Sequence, residues 1–236
     1  MDIALKGFLK MNSSSLSTIV VQDATVSTSD QSPKPLCEPV SFELSSGSKL
    51  LITGRSGCGK TSFLNALIGF QKLHSGSVTL FDEFDVSRIS VRSRQKLLRS
   101  KIAYVEQSPS PFSGMTAIEF MEFNQRISQA HFDRNQCIRL LEELDLGKCA
   151  TMKLPSLSKG QLQRVHLCAS FSRNSTLLIF DEPTSALDNQ SRDAFYRLVE
   201  RHCAQGGSTI LVSHDNHFTS LISNQLHMVS KEVKYV

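Results

Sequence analysis

The sequence predicts an α/β fold, a mixed or parallel sheet with helices on both faces, and three observations carry that prediction. The apolar run Leu50-Leu51-Ile52 leads into Gly54-Arg55-Ser56-Gly57-Cys58-Gly59-Lys60-Thr61, and Phe63, Leu64, Ala66, Leu67 and Ile68 come next as a helix would space them. A second run, Leu177-Leu178-Ile179-Phe180, is uninterrupted and ends on Asp181-Glu182. Strands without polar alternation belong in parallel sheets buried on both sides. Strand-like and helix-like segments also alternate along much of the chain, which favours a layered α/β core.

In chain order, residues 1–16 read as an N-terminal extension. Residues 1–10 are weakly amphipathic, and Asn12-Ser13-Ser14-Ser15 separates them from the first strand-like run. No apolar stretch there is long enough for a secretory signal. One domain is expected over 17–236. Ile19-Val20-Val21 and the alternating Val40, Phe42 and Leu44 predict strands on either side of a polar, proline-containing segment. Phe42 falls on the same face as Val40 and Leu44 and is expected in the core. The strand, loop and helix around Lys60 occupy about 49–70. Val78–Phe81 and Ile102–Val105 predict further strands. From 116 to 146, Ile118, Phe120, Met121, Ile127, Ile138, Leu140, Leu141 and Leu144 recur at helical spacing. These helices, with the segment up to 172, predict a helical insertion over about 109–172. A helix near 189–205, the strand Thr209–Val212 and a last helix–strand pair complete the layout.

Composition sets bounds on function. The chain has 236 residues, of which 40% are hydrophobic, enough for one substantial core. A net charge of +4 is too mild to indicate a nucleic-acid binder. No apolar run approaches the roughly 20 residues that span a bilayer, so a membrane role requires another chain. The six cysteines show no CxxC or metal-like spacing and read as reduced thiols of a cytoplasmic protein. Cys58, inside the glycine-rich loop, is the thiol whose modification matters most. The basic run Arg88, Arg92, Arg94, Lys96, Arg99 and Lys101 reads as a solvated face. Phe112, Phe120, Met121 and Phe123 read mostly as core, with one or two left to line a partner groove.

The glycine-rich stretch carries the chemistry. Glycines let the backbone curl round a phosphate so that successive N–H groups and a helix N-terminus face the anion. Gly54, Arg55, Ser56, Gly57, Cys58, Gly59, Lys60, Thr61 and Ser62 are therefore candidate nucleotide contacts. Lys60 is placed to reach β- and γ-phosphates, and the Thr61 hydroxyl to ligate Mg²⁺. Asp181, at the end of its apolar strand, supplies the acidic partner for that ion, and Glu182 beside it the group that polarises an attacking water. Ser158 and Gln161 have the spacing of a capping box before Leu162, Val165 and Ala169. Asp188 is placed to cap the helix that starts near Asn189.

From about Ile19 to the end, the sequence resembles the ATP-binding cassette (ABC) ATPase family. Leu157-Ser158-Lys159-Gly160-Gln161 resembles its signature motif, and Asp181–Asp188 its second acidic motif running into the D-loop. Gln107 after Tyr104-Val105-Glu106 resembles the Q-loop, and His214 after Leu211-Val212-Ser213 the switch histidine. The motifs stand in the family's order. The resemblance implies a P-loop NTPase core with a helical signature subdomain, ATP and Mg²⁺ as cofactors, and ATP hydrolysis. It implies catalytic roles for Lys60, Gln107, Glu182 and His214. It places Thr61, Gln107 and Asp181 at the metal, and Ser158, Gly160, Gln161 and Asp188 at nucleotide across a dimer. A homodimer or heterodimer docked on separate transmembrane permease subunits, at the cytoplasmic face of the membrane, is implied by the same likeness. A soluble cassette acting on nucleic acid or ribosomes, or a scaffold without turnover, is the alternative. The absence of an Asn-Lys-x-Asp motif disfavours a GTPase.

Two departures from the family pattern stand out. Lys159 replaces the first signature glycine. No aromatic residue occurs between Leu9 and Ser41, where the family stacks adenine, and Thr28 holds the matching place. Weak discrimination between ATP and GTP is therefore expected. The short single-cassette form, which stops soon after its last strand, is similar to stand-alone export or lipoprotein-release ATPases.

Overall fold

The computed structural model describes residues 17–28, 33–112 and 114–231; the expected extension over 1–16 lies outside them. The antiparallel and parallel pairings expected in one mixed sheet fall into two separate sheets. Strands β1 (Ser17–Thr25), β2 (Val40–Ser45), β4 (Ser75–Leu80) and β5 (Phe84–Asp85) form an antiparallel sheet in the order β2-β1-β4-β5. Strands β3 (Lys49–Gly54), β6 (Ile102–Val105), β7 (Leu177–Asp181), β8 (Ser208–Val212) and β9 (Gln225–Met228) form a parallel sheet in the order β6-β7-β8-β3-β9.

Successive residues of a strand point to opposite faces, so an unbroken apolar strand feeds two cores. Leu50 and Ile52 of β3, Leu177 and Ile179 of β7, and Ile210 and Val212 of β8 join one cluster with Ile19, Val21 and Leu44 of the antiparallel sheet. Phe63, Leu64 and Leu67 of helix α1 (Lys60–Leu67) fill the same cluster. Phe42 packs against it, with its ring centroid 6.5 Å from that of Phe63. Leu51, Leu178, Phe180 and Leu211 face the other way. They meet α3 (Ala117–Ile127), α4 (Arg134–Glu143), α5 (Lys159–Phe171) and α6 (Asn189–Ala204). Phe171, Phe180, Phe195 and Phe218 form a chain of ring contacts there at 5.1 to 6.1 Å. A parallel sheet covered on both faces is thus what the apolar runs dictate.

Most of the basic run lies on a helix that the apolar spacing does not mark, α2 (Val91–Ser100), in which Leu97 is the buried residue; Arg88 precedes it and Lys101 caps its end. Its cations are not uniformly solvated. Arg94 donates to the Gly69 carbonyl, and Lys101 sits over the Phe81 ring at 4.7 Å. Arg173, from beyond α5, donates to the carbonyls of Leu98, Arg99 and Ile102 at 2.7 to 3.1 Å and so satisfies the C-terminal end of α2. Phe120 and Met121 are buried, whereas Phe112 and Phe123 are exposed with ring centroids 6.1 Å apart. All six cysteines are free and buried. The chain closes with the short helix α7 (Asn216–Leu221) and β9.

Candidate nucleotide-phosphate site

In parallel α/β sheets, ligands bind beyond the carboxyl ends of the strands, where backbone and side chains leave the sheet together. Here the carboxyl ends of β3, β6, β7 and β8, with the residues just beyond them, carry the loop at Gly54–Lys60, Gln107, Asp181-Glu182 and His214 respectively. They converge on a cavity of about 480 Å³ lined by Ser56, Gly57, Gly59, Lys60, Thr61, Ser62, Gln107, Asp181, Glu182 and His214.

The loop is built for backbone approach. Gly54 ends β3 with φ of +145°, and a Cβ there would come within 2.6 Å of the Met228 carbonyl of β9. Gly59, at φ +93°, lies just ahead of α1 and aims the first turn of that helix at the cavity. Cys58 faces inward and is 1% exposed; Arg55 is exposed. The Lys60 ammonium, also buried, donates to the carbonyls of Gly54 at 2.8 Å and Arg55 at 3.1 Å. Those bonds hold a cation inside the curl of the loop.

Opposite the loop, the Thr61 hydroxyl donates to Asp181 Oδ2 at 2.6 Å. Both groups are hard oxygen donors, and the exposed Gln107 lines the same cavity. Oxygen sets of this kind suit Mg²⁺. Glu182 has φ of +48°, rare for a residue with a Cβ, and its N–H bonds to the Val212 carbonyl at 2.9 Å. That turn places its carboxylate 3.3 Å from His214 Nε2. Burial pushes the Glu182 carboxyl above its ordinary value, against the opposing pull of His214 and Lys60.

Ser158, Gly160, Gln161 and Asp188 do not line this cavity. Ser158 caps α5: its hydroxyl accepts from Gln161 N at 3.2 Å and its N–H donates to Gln161 Oε1 at 2.9 Å. The Gln161 amide nitrogen turns to Cys149 Sγ at 3.6 Å, which engages both ends of that side chain. Asp188 accepts from Ser191 N at 2.7 Å and caps α6. Gly160 backs onto the Ala186 carbonyl, which a Cβ would meet at 3.0 Å, so the two capped helix starts sit side by side. Lys159 is exposed.

One residue at the cavity has no signal in the sequence. Leu36 stands alone in a polar segment. It is placed by its N–H bond to the Val26 carbonyl at 2.8 Å and by the bond its own carbonyl accepts from Lys231 at 3.1 Å. It lies against Gly59 and lines both the phosphate cavity and a neighbouring one. Pairings between segments that distant leave no periodic trace.

Fold and loop together define a phosphate-binding α/β protein with an acidic pair and a histidine at its strand ends. The ABC transporter family model matches residues 37–185, and the chain belongs to that family. It is 30% identical over 207 residues to the lipoprotein-releasing system ATP-binding protein LolD of Francisella tularensis, covering 85% of this chain and 88% of that one. The macrolide export ATP-binding/permease protein MacB of Campylobacter jejuni is 33% identical over 178 residues. That match covers 75% of this chain and 28% of MacB, so the chain spans little more than a quarter of that relative. Among solved structures, the dimeric bacterial ABC transporter cassette MJ0796 superposes with a TM-score of 0.81 at 22% identity, over 92% of this chain and all of the other. Among the described residues no helix is long and apolar enough to cross a membrane.

Proposed function

We propose that this chain is the ATP-binding and ATP-hydrolysing subunit of an ABC transporter. In this reading it works as a dimer with a copy of itself or a related cassette, at the cytoplasmic face of the membrane. Separate transmembrane permease subunits carry the substrate, and nucleic acid plays no part. The observation that carries the reading is the pairing of Glu182 with His214 across a cavity from Lys60 and the Thr61–Asp181 pair. LolD and MacB, by their names a releasing and an exporting system, lean the reading toward outward transport.

The reaction is in-line attack of water on the γ-phosphate. A bond forms from the water oxygen to phosphorus, the bridging bond to ADP breaks, and the Glu182 carboxylate takes the water proton. His214 holds Glu182 and the γ-phosphate in register. Lys60 exchanges its loop carbonyls for phosphate oxygens and offsets their charge. Thr61 and Asp181, with Gln107 beside them, would hold Mg²⁺, which supplies further charge neutralisation on the phosphates. Gln107 links that site to the segment leading into α3. The exposed start of α5 at Ser158, with Gly160 and Gln161, and the neighbouring Asp188 turn are offered to the nucleotide of a second protomer.

Steady-state phosphate release by the purified protein tests the proposal. Turnover with Mg-ATP is expected, lost as the pH falls through a value above the ordinary carboxylate range, because Glu182 must be ionised and burial raises its pKa. Tight ATP binding with no turnover at any pH would make the chain a scaffold and contradict the proposal.

A further inference from the structure

The phosphate cavity shares Leu36 and Ser62 with a second cavity of about 720 Å³, whose other lining residues are Ser27, Thr28, Asn65, Phe70, Gln71 and Lys72. The shared residues make the two cavities neighbours beside the first turn of α1. Phosphates seated at Lys60 and Thr61 leave the rest of a nucleotide to run past Ser62 into this second space. Thr28 lines this second space and has no ring to offer. Phe70 has one, and it is 58% exposed.

The local backbone explains that exposure. Helix α1 ends in a Schellman turn: Gly69, at φ +75°, donates to Ala66 O at 3.1 Å, and Phe70 N–H reaches Asn65 O at 2.8 Å. In such a turn the residue at the Phe70 position ordinarily packs on the residue at the Asn65 position. Here that residue is polar and lines the same cavity, and the ring is left more than half exposed. The turn is firmly held. Arg94 donates to the Gly69 carbonyl, and Gln71 Nε2 donates to the Ser27 carbonyl at 3.2 Å. The second bond ties the end of α1 to the end of the β1 segment. From Ser62 to Leu67 the helix advances roughly 7.5 Å along its axis, and the turn then carries Phe70 to the far side of the second cavity from the phosphates.

We infer that Phe70, from the turn after α1, supplies the aromatic face on which the base of a bound nucleoside triphosphate rests, with Leu36 bounding the cavity between base and phosphates. The inference rests on the proposed nucleotide binding at Lys60 and adds the group that holds the base. An aromatic face accepts any base. ATP and GTP therefore bind with similar affinity.

The chain contains no tryptophan, so Phe70→Trp creates a single emitter at the proposed contact. Mg-ATP and Mg-GTP are expected to quench and saturate its fluorescence. Mg-tripolyphosphate, which has phosphates but no base, should compete for the loop without that quenching. Calorimetry on Phe70→Ala should show ATP affinity lower by roughly 5- to 150-fold, the worth of one stacked base, with tripolyphosphate affinity unchanged. ATP bound by the Trp variant with silent emission, and by the Ala variant at wild-type affinity, would overturn the role of Phe70 while leaving nucleotide binding intact. Wild-type protein that binds neither ATP nor tripolyphosphate would overturn both.

Discussion

Lys159 shows how a single departure from a family pattern can be weighed by geometry. Its side chain is exposed, while the capping box that fixes the start of α5 runs through Ser158 and Gln161 alone. The next residue is the one under steric demand, because Gly160 has the Ala186 carbonyl against it. A lysine in place of glycine at 159 thus leaves both the hydroxyl and the helix N–H groups where they were. Lys159→Gly is expected to hold the ATPase rate within about tenfold, a barrier change below roughly 1.4 kcal/mol. A larger fall in measured turnover would place the Lys159 ammonium in the charge clamp on the γ-phosphate. Glu182 is the converse case. Its left-handed backbone is legible only in the structure, yet its position after four apolar residues and an aspartate marks it in the sequence.

At the scale of elements, what the sequence reveals tracks how each element is stabilised. β3, β7 and β8 are readable because both of their faces are buried, and α3 and α4 because their apolar residues recur on one face. Helix α2 buries one residue and is anchored by Arg94 and Arg173, so its hydrophobic pattern is silent. The separation of two sheets is likewise hidden, since it depends on long-range pairing such as Ile19 with both Leu44 and Leu80. The helical layer adds a pH dependence of its own. His166 of α5 stacks on Phe120 of α3, with ring centroids 4.6 Å apart, and its Nε2 is buried with no hydrogen-bond partner. Burial pushes its pKa from 6.5 down to about 4. A histidine kept neutral by the fold contributes stability that is full above pH 6.5 and is lost as the pH falls toward 4. Thermal unfolding should therefore show a midpoint that drops across that window, and His166→Phe should flatten the drop. An unchanged pH profile in the variant would assign the acid sensitivity to other groups.

The whole molecule presents two chemically different surfaces. One is the cavity holding Lys60, Thr61, Gln107, Asp181, Glu182 and His214; the other is the pair of capped helix starts at Ser158 and Asp188, which share no wall with it. A protein that used its signature residues within one chain would bring the two together. Their separation is accounted for if each cavity is completed by the helix starts of a second protomer. Size-exclusion chromatography of Glu182→Gln and Lys60→Ala, each with and without Mg-ATP, tests it most directly. Glu182→Gln keeps the binding contacts and removes the base, so turnover should fall by roughly 10²–10⁴ and Mg-ATP should convert the protein to a dimer. Lys60→Ala should bind ATP weakly and remain monomeric. A Glu182→Gln protein that stays monomeric with Mg-ATP while hydrolysing at the wild-type rate would contradict the account.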